Sequence, residues 1–228
     1  VKTLAVIPAR GGSKGLPGKN ARPFLGIPLL ARAIRIAQET CDALIVTTDD
    51  PVLASLAEDY DAPVHMRPAE LATDEAPMLP VVQDAIRGRE GDVIVLLQPT
   101  QPLRTAEQVR EALDLVGARF SLRDGLPDSV VSVRRVPASY SPELMLMLGH
   151  DGLCVEPVVG LARKDPPRRQ AAQSGYVRCG TVYATHRDVI EAGSLYGASV
   201  RPLILEGDAL SIDTLEDFNR LEALACSR

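Results

Sequence analysis

Three cations and four glycines share the stretch PARGGSKGLPGKN, residues 8–20: Arg10, Lys14 and Lys19 alternate with Gly11, Gly12, Gly15 and Gly18, and no acid interrupts them. Glycines let backbone N–H groups approach phosphate oxygens closely, and such nests bind anions. Three cations on one loop suit a triphosphate. In nucleotidyl transfer they would hold the leaving pyrophosphate and offset the charge that grows at the α-phosphate. A flexible turn with incidental lysines is the bland alternative, but a turn rarely needs four glycines. Two familiar phosphate loops do not fit. A Walker loop ending at Gly18-Lys19 would put its first glycine at Ser13, and Asn20 stands where the metal needs a hydroxyl. The spacing of glycines 11, 12, 15 and 18 also lacks the dinucleotide pattern G-x-G-x-x-G, and Pro17 would interrupt the helix that pattern opens.

Other chemistry-bearing residues fall in short polar blocks: TTDD (47–50), RPAELATD (67–74), QPTQPLR (98–104) and SIDT (211–214). Asp49 reads first as a cap of the following helix and second as an active-site acid. Arg67 and Asp74 either line a nucleotide site or form a structural ion pair. Arg22 either joins the basic site or is a solvated arginine. Asp217 reads as a first-turn helix acid. The histidines His65, His150 and His186 read as strand, turn and surface residues, not a metal triad. The cysteines Cys41, Cys154, Cys179 and Cys226 form no C-x-x-C pair, which argues against zinc or a disulfide framework and fits a reducing cytoplasm. No general base stands out.

The 228 residues suffice for one large domain, and a 46% hydrophobic fraction supplies a sizeable core. A net charge of −5 disfavours nucleic acid as a partner. The charge is uneven: residues 1–38 hold seven Lys/Arg and no acid, so the rest carries 18 basic against 30 acidic residues. That places a localised anion site near the beginning of the chain. No apolar run approaches a membrane span of ~20 residues, and VKTLAVIPAR reads as a buried strand rather than a signal peptide.

The elements that must carry these blocks alternate. Strands are expected over 3–9, 43–48, 62–67, 92–100, 128–136, 176–185 and 199–207. Helices are expected over 28–40, 51–60, 78–90, 105–116, 187–193 and 214–225. Thr105 with Gln108 forms a capping box, Pro51 opens a helix, and Thr214 caps the last one. The strands are continuous apolar runs, so the fold class is α/β, with a mainly parallel sheet covered by helices on both faces. Ligands bind such sheets beyond the carboxyl ends of the strands, where the polar blocks fall. Residues 137–175, with five prolines and four glycines, break the rhythm and read as an inserted arm with a hairpin turning at GHDG.

In this order, PARGGSKGLPGKN, TTDD, RPAELATD, LLQPTQPLR and SIDTLEDF, with DSVVSV and PRRQ…GTVY, resemble the acylneuraminate cytidylyltransferases over essentially the whole chain. The resemblance implies a Rossmann-like nucleotidyltransferase fold, one domain over 1–228, and a homodimer made through the arm. It implies CTP and a nine-carbon α-keto sugar acid as partners, Mg²⁺ as cofactor, CMP-sugar and pyrophosphate as products, and no covalent intermediate. Kdo cytidylyltransferase is the alternative enzyme, disfavoured by Gln98 where that family usually has aspartate; a catalytically impaired nucleotide binder is the other. By resemblance, Arg10, Gly11, Gly12, Ser13, Lys14, Lys19 and Asn20 bind CTP, with Arg67 and Asp74 near the nucleotide. Arg10, Lys14, Lys19 and Asp213 carry catalysis, and Asp213 holds the metal. Gln98, Thr100, Arg104, Arg168, Arg169, Gln170 and Tyr176 line the sugar site. The chain departs from the family twice. Ser211 replaces the first aspartate of D-x-D-T, and Cys179 replaces the asparagine of N-G.

Overall fold

The structure is a computed structural model that describes residues 1–117, 127–148, 155–157, 175–207 and 211–227. Seven strands form one sheet: β1 (Thr3–Pro8), β4 (Ala43–Thr48), β5 (Val64–Met66), β6 (Val93–Leu96), β7 (Ser129–Arg135), β10 (Tyr176–His186) and β11 (Val200–Leu205). Their order is β11-β7-β10-β6-β1-β4-β5. The remaining strands make two small hairpins, β2 (Pro23–Phe24) with β3 (Ile27–Pro28) and β8 (Leu146–Leu148) with β9 (Val155–Pro157). The helices are α1 (Leu29–Thr40), α2 (Pro51–Glu58), α3 (Met78–Ile86), α4 (Ala106–Val116), α5 (Arg187–Glu191) and α6 (Leu215–Cys226).

Strands β6, β1, β4 and β5 run parallel, Val6 lying opposite both Ile45 and Leu96. Helical crossovers between them demand this, since parallel neighbours cannot be joined by a tight turn. Strand β10 is antiparallel to β6, with Tyr183 opposite Leu96, so the sheet is mainly but not wholly parallel, as expected. Apolar patterning reports that a strand is buried, not which way it runs, and the sequence therefore carried no sign of which strand reverses.

Burial on both faces explains the uninterrupted apolar strands. Leu4 and Val6 pack with Ile45, Ile94 and Leu96 against Val82, Ala85 and Ile86 of α3 and Ile190 of α5. Ala5 and Ile7 alternate to the other face, and both are fully buried. Helix α1 lies against β1 and β4 and buries Leu29, Leu30, Ala33, Ile34 and Ala37, the stripe expected from its 3.6-residue period. Each such leucine or isoleucine contributes about 1.5–3 kcal/mol by leaving water.

A second cluster is the one that positions the site. Leu16, from the middle of the glycine loop, is buried with Phe24, Leu29, Ile212, Phe218 and Leu221. Phe24 meets Phe218 edge to face, with ring centroids 5.6 Å apart. The loop is thus pinned by one apolar residue to α1 and α6. The hairpin β2–β3 shapes the exit from this loop. It turns through Leu25 (φ 49°) and Gly26 (φ 78°), two consecutive left-handed residues as a tight two-residue hairpin requires. It was not expected, because a leucine rarely takes that conformation.

The chain divides into two compact units. The first comprises Val1–Ser132, Gly180–Leu203 and Leu210–Arg228, and holds every residue of the cleft described below; the second comprises Val133–Cys179 and Ile204–Ala209. The second unit contains the antiparallel β8–β9 pair, as expected for the arm hairpin. Its turn lies outside the described residues. Among the described residues, no helix is long and apolar enough to cross a membrane.

Candidate active site

The loop after β1 leaves the sheet at Pro8 and re-enters regular structure in a short 3₁₀ turn, Lys19–Ala21. Gly18 precedes that turn with φ 65°, a conformation open to glycine at little cost. Two other glycines are required by neighbours. A Cβ on Gly11 would strike the side chain of Asp50, and one on Gly15 would strike the backbone carbonyl of Asp213. Gly12 faces open space. Asn20 is buried and donates from Nδ2 to the Arg10 carbonyl at 2.9 Å, tying the two ends of the loop together.

Around the loop a cleft of about 610 Å³ opens at the carboxyl ends of β1 and β6. Pro8, Arg10, Ser13, Lys14, Gly15, Lys19 and Asn20 line one side. Arg67, Met78, Gln98, Pro99, Thr100, Ser211, Asp213 and Thr214 complete it. Three of the four polar blocks found in the sequence therefore meet the glycine loop at one place. The 211–214 block is held there by backbone: the Ile212 N–H donates to the Thr100 carbonyl at 3.0 Å. Lys19 Nζ donates to the Ile212 carbonyl at 2.8 Å and to Asp213 Oδ1 at 3.1 Å.

The cations differ in how they are held. Lys19 is largely covered, with 12% of its side chain exposed, whereas Lys14 is 83% exposed. Arg10 and Lys14 both form ion pairs with Asp74. These contacts, Lys14 first and Arg10 second, hold the Asp74 carboxyl below the usual carboxylate range. Arg67 is buried and donates to the carbonyls of Thr47 and Leu71, while its Nε has no hydrogen-bond partner among the described residues. Burial lowers its pKa, and the charge of Arg10 adds to that effect, against Asp49.

The two aspartates of TTDD divide their work differently from expectation. Asp50, not Asp49, caps α2 by accepting the Val52 N–H at 2.8 Å. Asp49 instead accepts the Gly11 N–H at 3.1 Å and so braces the glycine loop. The sequence did hold the signal, since the residue before a helix-opening proline is the N-cap. Asp217 is the first-turn acid that was expected. It takes the N–H and hydroxyl of Thr214, each at 2.8 Å, which lowers its pKa and completes a capping box.

Of the residues assigned to the sugar, Gln98 and Thr100 line the cleft. Arg104 does not. Its guanidinium is buried and donates from Nε to the Thr181 carbonyl and from Nη2 to the Gln98 carbonyl. Burial pushes its pKa down to about 9, so it stays charged at neutral pH. Tyr176 is half exposed on β10 and is not among the cleft residues. Arg168, Arg169 and Gln170 lie outside the described residues, as do Cys154, His150 and Asp208. Arg22 stacks over the Phe218 ring, 5.5 Å from its centroid. His65 bonds Asp84 at 2.6 Å, and His186 is buried rather than at the surface. Gly180 was missed as a site-shaping residue. With φ 69°, its missing Cβ would stand 3.1 Å from Gln98 Oε1 and 3.4 Å from Gln101 Nε2.

Among the described residues, no three His, Cys, Asp or Glu side chains cluster as a metal site. Asp213 is the carboxylate that faces the cleft, and 71% of its side chain is exposed. Lys19 contacts only its Oδ1, which leaves Oδ2 for a ligand. Such a donor fits a cation that completes its shell with water and phosphate oxygens.

A mixed sheet with a cationic glycine loop at its rim defines the nucleotidyltransferase class. A solved CMP-2-keto-3-deoxy-manno-octonic acid synthetase complexed with CTP superposes with a TM-score of 0.72 at 20% identity, over 100% of this chain and 99% of that one. Residues 4–120 match the family model for cytidylyltransferases. The CMP-N,N′-diacetyllegionaminic acid synthase of Legionella pneumophila is 34% identical over 98% of this chain and 96% of its own length. The N-acylneuraminate cytidylyltransferase of Escherichia coli O18:K1:H7 is 42% identical over 50% of this chain, which spans 28% of that longer protein. The chain belongs to the cytidylyltransferase family.

Proposed function

We propose that this protein transfers CMP from CTP to the anomeric hydroxyl of a nine-carbon α-keto sugar acid, an acylneuraminate or a close analogue, with Mg²⁺. The observation that carries the reading is the meeting of Arg10, Lys14, Lys19 and Asp213 on one cleft at the sheet rim. Full-length identity to the legionaminic acid synthase supports the sugar class.

The hydroxyl oxygen attacks the α-phosphorus, and the bond from phosphorus to the β-phosphate bridging oxygen breaks. Pyrophosphate leaves, and the hydroxyl proton passes to solvent. Arg10, Lys14 and the N–H of Gly12 cradle the phosphates, while the Gly11 N–H stays on Asp49. Lys14 meets the charge that develops as the bond breaks, an electrostatic role in which a single donor contributes about 3–4 kcal/mol. Incoming phosphates exchange with the Asp74 carboxylate on Arg10 and Lys14. Lys19 fixes Asp213, and Asp213 with the hydroxyl of Ser211 would hold the Mg²⁺. That ion supplies Lewis-acid charge neutralisation on the phosphates. Arg67 lines the nucleotide side, and Gln98 and Thr100 the sugar side, with Gln98 seated by Gly180. The segment 137–175 serves as a dimerisation arm that brings Arg168, Arg169 and Gln170 to the sugar carboxylate; a chain lacking the arm should sediment as a monomer.

Pyrophosphate release with CTP and Mg²⁺ tests the reading, with N-acetylneuraminate, its deaminated analogue, legionaminate, pseudaminate and Kdo offered one at a time. Release with a nine-carbon acid is expected. Release with Kdo alone, or CTP binding with silence across the panel, would overturn it.

A further inference from the structure

A second, smaller cavity of about 210 Å³ lies between α1 and the 101–104 segment, separate from the catalytic cleft. Arg32, Arg35 and Arg104 line it together with Gln101, and no carboxylate does. Burial lowers the pKa of Arg32, and the like charge of Arg35 adds to that effect. Arg104 is 7% exposed, and its two described hydrogen bonds go to neutral carbonyls. A buried charge ordinarily has an ionic partner. Among the described residues, Arg104 Nη1 makes no hydrogen bond, although Arg104 lines the cavity. Arg32 is half-buried, oriented by the ring of Phe24 at 5.3 Å and by the Pro102 carbonyl at 3.1 Å. The fold thus presets the arginines around the cavity.

We infer that the cavity bounded by Arg32, Arg35, Gln101 and Arg104 is a second anion site, built for a small oxyanion of the phosphate class. Arginine forks match tetrahedral oxyanions in pairs of parallel hydrogen bonds. The volume accepts inorganic phosphate or pyrophosphate and is too small for a nucleoside triphosphate. Because Arg104 also holds the Gln98 carbonyl, an anion here touches the same residue that supports one wall of the catalytic cleft.

Titration of inorganic phosphate into the whole protein, followed by equilibrium dialysis, separates this site from the catalytic loop. Arg35 is exposed and contacts only the face of Tyr60 among the described residues, so Arg35→Gln and Arg35→Glu should fold. Lys14→Glu, in parallel, disables the loop. Phosphate binding that survives in Lys14→Glu, weakens at least fivefold in Arg35→Gln and vanishes in Lys14→Glu/Arg35→Glu supports the site. Substituting pyrophosphate and then acetate for phosphate tells phosphate chemistry from general anion attraction; acetate should not compete. Unchanged phosphate binding in Arg35→Glu, or complete loss in Lys14→Glu alone, would overturn it. Activity without phosphate should be the same in Arg35→Gln as in the unaltered chain.

Discussion

The loop after β1 and the loop after β6 are both cationic, both sit at the sheet rim, and treat their cations in opposite ways. In residues 8–20 the charged groups meet carboxylates: Arg10 and Lys14 meet Asp74, and Lys19 meets Asp213. These partners are at least partly exposed and can be exchanged for a ligand. In residues 97–104 the arginine is buried on the carbonyls of Gln98 and Thr181. Those bonds fix backbone, and no substrate can replace them without opening the core. A cation held by a carboxylate at the surface is available for chemistry. A cation held by buried carbonyls is a strut.

The sharpest way to break this comparison is Lys14→Ala. It should lower turnover by about 10²–10³-fold, as loss of a transition-state donor does, with the thermal midpoint unchanged. A fall in stability with normal kinetics would make Lys14 the strut. Arg104→Gln should do the reverse. Removing the guanidinium takes one donor from each of the Gln98 and Thr181 carbonyls and costs roughly 1–3 kcal/mol, read as a lowered denaturant midpoint. Equal loss of activity and no loss of stability would place Arg104 in the substrate site after all.

Smaller effects refine the picture. Gly15→Ala places a methyl against the Asp213 carbonyl and should reduce kcat/KM by about tenfold, through a displacement of the order of 1 Å. Ser211→Asp should lower the Mg²⁺ concentration needed for half-maximal rate; an unchanged requirement would count against the one-carboxylate metal site. Asp74→Asn should tighten pyrophosphate binding by roughly 2–10-fold, since it removes exposed ion pairs of small net value that compete for the same cations. The same variant has a pH signature. The folded-state pKa of Asp74 is depressed, so its contribution to stability is present above the ordinary carboxylate value of about 3.9 and is lost as pH falls through the depressed one. Asp74→Asn should flatten that part of the acid-unfolding curve, and identical curves would show that the ion pairs do not persist in solution.

The helices were legible because their start signals are local. Thr105 with Gln108 forms the capping box that its spacing announces, and Thr214 is the N-cap expected for α6, where Asp217 completes a second box. Strand β4 begins and ends where its apolar run does. The glycine loop was legible as a cationic lining of the cleft because its glycines and cations lie within a few residues of one another. What escaped depended on distant neighbours. Gly180 matters only because Gln98 and Gln101 lie against it, and the brace from Asp49 to Gly11 joins residues 38 positions apart. Arg104 shares a motif with Gln98 and Thr100, and nothing in the motif says that its side chain turns to Thr181, 77 residues away.

Composition and spacing by themselves determined an α/β chain with a cationic glycine loop after its first strand, because periodicity, capping and glycine content act over a few residues. Tertiary structure alone decided the direction of β10, the burial of Leu16 that anchors the loop, and which of the cations remain free to exchange partners. Those outcomes depend on what packs against each group, and burial sets both the cost of an unpaired charge and the partner that can satisfy it.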